Sequence, residues 1–182
     1  QEFDSVTYDQ FASALEDLEA QGMTGLVIDL RDNPGGNLDT VCDILDLILP
    51  EGTIVSTKDK NGEGETYTSD EEHKLEIPLS VLTNGNSASA SEIFAGAVQD
   101  YGVGTLVGTT TFGKGIVQQI FPLTDGTSIK LTISEYFTPK GRNIHGTGID
   151  PDVEVEYEYN EEDPAADNQL EKAIEIVKGN GM

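Results

Sequence analysis

The strongest constraint in this sequence is one abrupt change of periodicity. An apolar run with β-branched residues, residues 77–82, passes through Asn84-Gly85-Asn86-Ser87-Ala88-Ser89-Ala90-Ser91-Glu92 into a helix-like run at 93–98. A serine at such a strand-to-helix turn has its hydroxyl lifted clear of the sheet. The unpaired N–H groups that open the helix lie beside it, and with the helix dipole they suit an oxyanion. Serine and asparagine are also the preferred helix N-caps, and small residues let a helix pack closely on a sheet. Taken alone, the turn does not choose between capping and chemistry, nor among Ser87, Ser89 and Ser91.

Around this turn strands and helices alternate, which argues for an α/β domain. Residues 7–21 have the spacing of an amphipathic helix, with Thr7 and Gln10 as a capping box and Phe11, Ala14, Leu15 and Leu18 inward. Residues 25–30 form a short apolar strand, expected to be central and parallel. It runs into the turn-rich loop Arg31-Asp32-Asn33-Pro34-Gly35-Gly36-Asn37. A second helix is expected over 38–49, and strands over 53–57, 65–68 and 77–83. A third helix follows at 91–101, then a short strand at 105–108. Residues 116–123 and 128–135 flank Asp125-Gly126, a strong hairpin signal. Val153 and Val155 alternate with glutamates as an edge strand. The last helix turns Leu170, Ala173, Ile174 and Val177 to one side.

Charge excludes some partners. With 34 acidic and 10 basic residues the net charge is −24, and no basic residue precedes Arg31. Nucleic acid and anionic membranes need clustered Lys or Arg, so neither is expected as a partner. The single cysteine, Cys42, permits no internal disulfide; its helical spacing with Leu38, Val41 and Leu45 makes it a small core residue.

Several motifs fail on inspection. Gly108 to Gly115 nearly spells a phosphate-binding loop, but Gly115 stands where Ser or Thr would hold Mg²⁺, and a strand follows where a helix is required. Asp59-Lys60-Asn61-Gly62-Glu63-Gly64 has calcium-loop residues between strands, which points to a solvated hairpin tip. His73 and His145 sit in polar loops as surface residues. Neither is near the serine cluster in sequence, so a base other than histidine is the alternative to weigh for a serine nucleophile here. A lysine desolvated among apolar groups gives up its proton more readily. Lys114, flanked by glycines and close to Phe112, is the best of the lysines for that; the competing reading is a solvent-exposed loop lysine. Gln118, four residues on, carries an amide that could orient it without titrating.

Three ordered blocks together resemble the signatures of the carboxyl-terminal processing peptidases, tail-specific serine proteases with a Ser-Lys dyad. They are Leu30 to Gly36, Asn86 to Glu92, and Thr111-Phe112-Gly113-Lys114-Gly115-Ile116-Val117-Gln118. Gly148-Ile149-Asp150-Pro151-Asp152 matches the family's turn after the hairpin. The resemblance implies a crotonase/ClpP-like spiral of β-strands flanked by helices. It matches Ser89 to the nucleophile, Lys114 to the general base and Gln118 to the residue that orients the lysine. Ala90 N–H and those of Gly35 and Gly36 match the oxyanion hole.

Residues 1–157 are then expected to be a catalytic core without the family's PDZ domain, and residues 158–182 an acidic linker with a C-terminal helix packed on that core. The function implied is a serine endopeptidase cleaving proteins near their C-termini through an acyl-enzyme. The alternative is a non-catalytic peptide- or ligand-binding module on the same fold. Protein or peptide substrates are the expected partners, with no cofactor and no metal. A membrane would be met only through segments outside this chain, and the resemblance implies an extracytoplasmic location, in the cell envelope or secreted.

Overall fold

A computed structural model describes residues 2–179. The elements run α1 (Thr7–Ala20), β1 (Leu26–Asp29), α2 (Leu38–Asp46), β2 (Gly52–Lys58), β3 (Thr66–Ser69) and β4 (Leu79–Thr83). They continue as α3 (Ala90–Tyr101), β5 (Thr105–Gly108), β6 (Ile116–Pro122), β7 (Ser128–Phe137), β8 (Val153–Glu154) and α4 (Asn168–Val177). The fold is α/β, as the alternation predicts. One sheet is parallel, in the order β1-β4-β5-β8; the other is antiparallel, in the order β3-β2-β7-β6.

β4 is buried at every position because both its faces are covered. Successive side chains point to opposite faces of a strand. Val81, with Leu106 of β5, belongs to the main core with α2 and α3. Leu82, with Val107, packs instead against Ala173 and Ile176 of α4. The parallel register pairs Asp29 with Leu82 and Thr83 with Gly108, so β1, β4 and β5 end together. The loops that follow them, residues 30–37, 84–89 and 109–115, therefore emerge at one edge of the sheet. That convergence builds the site.

The structure departs from the sequence reading at several elements. β1 is parallel but lies at the edge of its sheet, and β4 lies inside the sheet. The Thr7–Gln10 capping box does not form. Val6 is the N-cap, and the Thr7 hydroxyl bonds Asp4 at 2.9 Å. Of the α1 face, Phe11 and Leu15 are half-buried while Ala14 and Leu18 are exposed, because the helix lies against α2 along a narrow strip. α2 stops at Asp46; Ile48 and Leu49 are fully buried in the turn beyond it, so their apolarity reflects packing and not helix. In α4, Leu170 faces solvent and Gln169 takes the buried place, where its amide donates to Val155 O at 2.7 Å.

α4 is fastened to the loop after β1 by Arg31. Its Nη2 donates to Asp29 Oδ2 and Asp167 Oδ2, each at 2.7 Å, and its Nη1 donates to Gln169 Oε1 at 3.0 Å. The guanidinium's hydrogen bonds hold the Asp167 carboxyl below its ordinary value of 3.8. A lowered carboxyl pKa contributes stability above the ordinary value and loses it as pH falls through the folded one. Asp167→Asn keeps an N-cap side chain at that position. At pH 7 it should cost about 1–2 kcal/mol, the scale of a charged hydrogen bond. Thermal melts should show the gap to wild type closing as pH drops below 3.8.

Candidate active site

The loop at 30–37 and the serine turn are tied to each other by hydrogen bonds. Ser87 Oγ donates to Leu30 O at 2.7 Å, Ser91 Oγ to Asn33 O at 3.0 Å, and Ala88 N to Asn33 O at 3.1 Å. Asp32 Oδ1 accepts from the side-chain amides of Asn84 (3.1 Å) and Asn86 (2.7 Å). These bonds separate the three serines. Ser87 and Ser91 are fully buried with hydroxyls committed to backbone carbonyls, whereas Ser89 is half-buried and lines an open cleft of about 310 Å³.

Ser89 holds φ at +58° with ψ at −116°, a positive-φ conformation that side-chain-bearing residues rarely adopt. Such a conformation costs about 1–3 kcal/mol and persists only where its surroundings enforce it. Two side chains do so here. The Tyr136 hydroxyl donates to Ser89 O at 3.0 Å, and the Glu92 carboxylate accepts Ser89 N–H at 2.9 Å. Burial, with the Glu92 charge nearby, pushes the Tyr136 phenol well above its ordinary pKa, so it remains a donor.

Glu92 is completely buried and accepts four bonds. Oε2 takes Ser89 N–H and Lys114 N–H (2.8 Å); Oε1 takes Gly113 N–H (2.7 Å) and the Thr111 hydroxyl (2.6 Å). One carboxylate thus joins the turn bearing Ser89 to the loop bearing Lys114. The sequence reading overlooked it, although Ser89 followed three residues later by Glu92 is the spacing of a capping box. Nothing in the pattern pointed to Tyr136, which comes from the far end of β7.

The glycines are required by close approach. A Cβ on Gly35 would lie 2.7 Å from Ala90 N, and one on Gly36 would lie 2.1 Å from Phe3 O. Their N–H groups differ. Gly35 N–H donates to Asn33 Oδ1 at 2.9 Å, whereas Gly36 and Ala90 both line the cleft and their N–H groups carry no bond among the described residues. Of the glycine pair, Gly36 is the one placed to offer a donor.

Lys114 is half-buried on the wall of the same cleft, after Gly113 at φ +88°. Gln118 lines the cleft too, but its amide donates to Thr132 Oγ1 at 3.5 Å. Lys130, not singled out from the sequence, is a further cation in the lining. His73 and His145 are exposed, as expected. Residues 109–115 lead into β6 and not into a helix, which removes the phosphate-loop reading. Asp59 closes a hairpin tip between β2 and β3 by accepting from Asn61 N and Glu63 N. Cys42 is buried, and burial with Asp39 and Asp43 nearby pushes its thiol up to about 12, so it is inert. Among the described residues, Asp46, Asp70 and His73 bring possible metal-ligand atoms within 4.8 Å of one another. None of the three lines the cleft.

An α/β core whose converging loops set a serine, a lysine and free backbone donors around one cleft has the parts of a serine-peptidase centre. The profile of Peptidase family S41 matches residues 1–155, and the chain belongs to that family. It is 45% identical over 181 residues to a carboxyl-terminal-processing protease of Synechocystis sp., covering 98% of this chain and 42% of that protein. It is 44% identical over 154 residues to the carboxy-terminal processing protease CtpB of Bacillus subtilis, covering 84% of this chain and 32% of that protein. Among solved structures, a photosystem II D1 C-terminal processing protease superposes over 100% of this chain and 45% of its own, with a TM-score of 0.81 and 34% identity. The chain thus spans less than half the length of these relatives.

Proposed function

We propose that this chain carries the chemistry of a serine endopeptidase of the C-terminal processing type. The observation that carries the reading is the separation of the serines: Ser87 and Ser91 are buried with committed hydroxyls, and Ser89 shares a cleft with Lys114. Ser89 Oγ attacks a peptide carbonyl of the substrate. Lys114, in its neutral form, takes the hydroxyl proton and passes it to the leaving amine. The oxyanion is held by the N–H groups of Ala90 and Gly36, each worth roughly a hundred-fold in rate. The role of orienting Lys114 falls to Gln118 by the family resemblance alone; its amide here donates to Thr132 Oγ1. Water then hydrolyses the acyl-enzyme. The substrates are proteins or peptides cut near their C-termini, and the setting is extracytoplasmic; both rest on the family.

A serine-directed fluorophosphonate followed by peptide mapping tests the assignment. The label should sit on Ser89 and should be lost in Lys114→Met. Clean peptide binding with no label at Ser89 would favour a non-catalytic binding module instead.

A further inference from the structure

A second groove adjoins the cleft that holds Ser89 and Lys114. Leu38 and Val117 belong to the walls of both, so the two grooves lie side by side. This groove, about 500 Å³, has Leu38, Tyr67, Val117 and Ile133 among its apolar lining. Its floor continues outward along the β6–β7 hairpin. Phe121 pairs with Ile129, and alternation puts Leu131 on that same face; Ile133 is the extra residue of a β-bulge opposite Val117 and Gln118 and lines the groove. Ile129, Leu131 and Ile133 are 44%, 49% and 39% exposed, so an apolar track runs from the groove toward the hairpin tip.

The other wall is acidic. Asp59, Glu63 and Glu65 of the β2–β3 hairpin line it. None of them has an ion-pair partner among the described residues. The neighbouring Lys58 does not neutralise them: it alternates to the opposite face of β2, where its Nζ lies 4.9 Å from the centre of the Phe137 ring. Backbone N–H groups of Asn61 and Glu63 hold the Asp59 carboxyl below the ordinary range, which keeps it charged. An apolar floor beside uncompensated carboxylates is complementary to a polypeptide bearing both apolar and cationic side chains.

We propose that this groove binds the part of the substrate that runs out of the catalytic cleft, and that it selects segments carrying Lys or Arg among apolar residues. The proposal rests on the endopeptidase reading for its occupant. The carboxylates attract the cationic ends, and the aliphatic stems and apolar neighbours cover Val117, Ile133 and the track beyond. It makes the cleft selective through charge on residues some distance from the scissile bond.

The test uses three fluorescent peptides with the same apolar centre, flanked on both sides by Lys-Lys, Gln-Gln or Glu-Glu. Binding is read by anisotropy on the Ser89→Ala protein and turnover on the wild type. Affinity should fall from the Lys to the Gln to the Glu peptide by about fivefold per step, the scale of one or two exposed charge contacts. Glu63→Gln/Glu65→Gln should bring the three within twofold and leave the Gln peptide unchanged. Glutamine at 65 can still accept the Tyr67 hydroxyl, which lies 3.2 Å from Glu65 Oε2. Glu161→Gln/Glu162→Gln makes the same charge change on exposed residues outside the groove and should leave the preference intact. Equal binding of the three peptides, or a preference that survives the groove variant or vanishes in the control, overturns the proposal. Ordered binding without turnover of any peptide would sink the endopeptidase reading and keep the groove; turnover of all three with equal kcat/KM and equal binding would do the reverse.

Discussion

Glu92→Gln is expected to disable the site without touching its surface. Glu92 is fully buried and forms no part of the cleft wall, yet four donors converge on it. Glutamine has nearly the same shape but replaces one acceptor oxygen with an NH₂ group. In one orientation that group faces the N–H groups of Ser89 and Lys114; in the other it faces Gly113 N–H and the Thr111 hydroxyl. Two donors lose their partner either way. Each buried donor left unsatisfied costs about 1–3 kcal/mol, so the stability loss should be about 3–5 kcal/mol. Ser89 sits at φ +58° partly because Glu92 holds its N–H. Once that hold is released, a displacement of an ångström at the Ser89 hydroxyl is enough, on the proposed mechanism, to lower kcat by about a hundred-fold. KM should barely move, because no wall residue changes. Urea melts and steady-state kinetics on one preparation read both effects, and wild-type kcat with a wild-type melt would remove Glu92 from its role as the joint between the two loops.

Lys114 makes the opposite case. Its tie to Glu92 is through backbone N–H, which any residue but proline keeps. Lys114→Met retains most of the side-chain length and discards the amine. Stability should stay within about 1 kcal/mol of wild type, as for a substitution off the core. The rate should fall at least about a thousand-fold, the scale of losing a general base that acts together with its nucleophile. Lys114→Arg separates basicity from charge. Arginine carries a permanent cation and does not give up its proton in a protein, so it should be as inactive as methionine. An active arginine variant would show that position 114 supplies charge and not proton transfer.

The turn at 84–92 and the alternation around it were legible because strand and helix periodicities change within a few residues there. The hairpin was legible because Asp125-Gly126 meets a backbone demand, a positive φ at Gly126 of +86°. The edge position of β1 was hidden: its first three residues, Leu26, Val27 and Ile28, are apolar enough for a central strand, and only the pairing order shows that β4 lies inside the sheet. α1 misled for a related reason, since its periodic apolar face is real but only partly covered. At the site, Ser89 and Lys114 were reached through their motifs, whereas the difference between Gly35 and Gly36 depends on which N–H the Asn33 side chain takes. Tyr136 acts through one bond to backbone from the far end of β7, and Glu92 through four bonds from a fully buried position. The Ser89–Glu92 spacing is the one trace of these contacts in the linear pattern.

The central claim is that Ser89, and neither of its neighbours, attacks the substrate. Its most direct test compares cleavage of an unfolded protein substrate by the wild type, Ser89→Ala and Ser87→Ala, with thermal melts alongside. Ser87 Oγ ties Leu30 O and accepts Asn84 N–H, so Ser87→Ala should melt lower and still cut. Ser89→Ala should melt close to wild type and leave the substrate intact. Cleavage that survives Ser89→Ala and disappears with a folded Ser87→Ala protein would contradict the account.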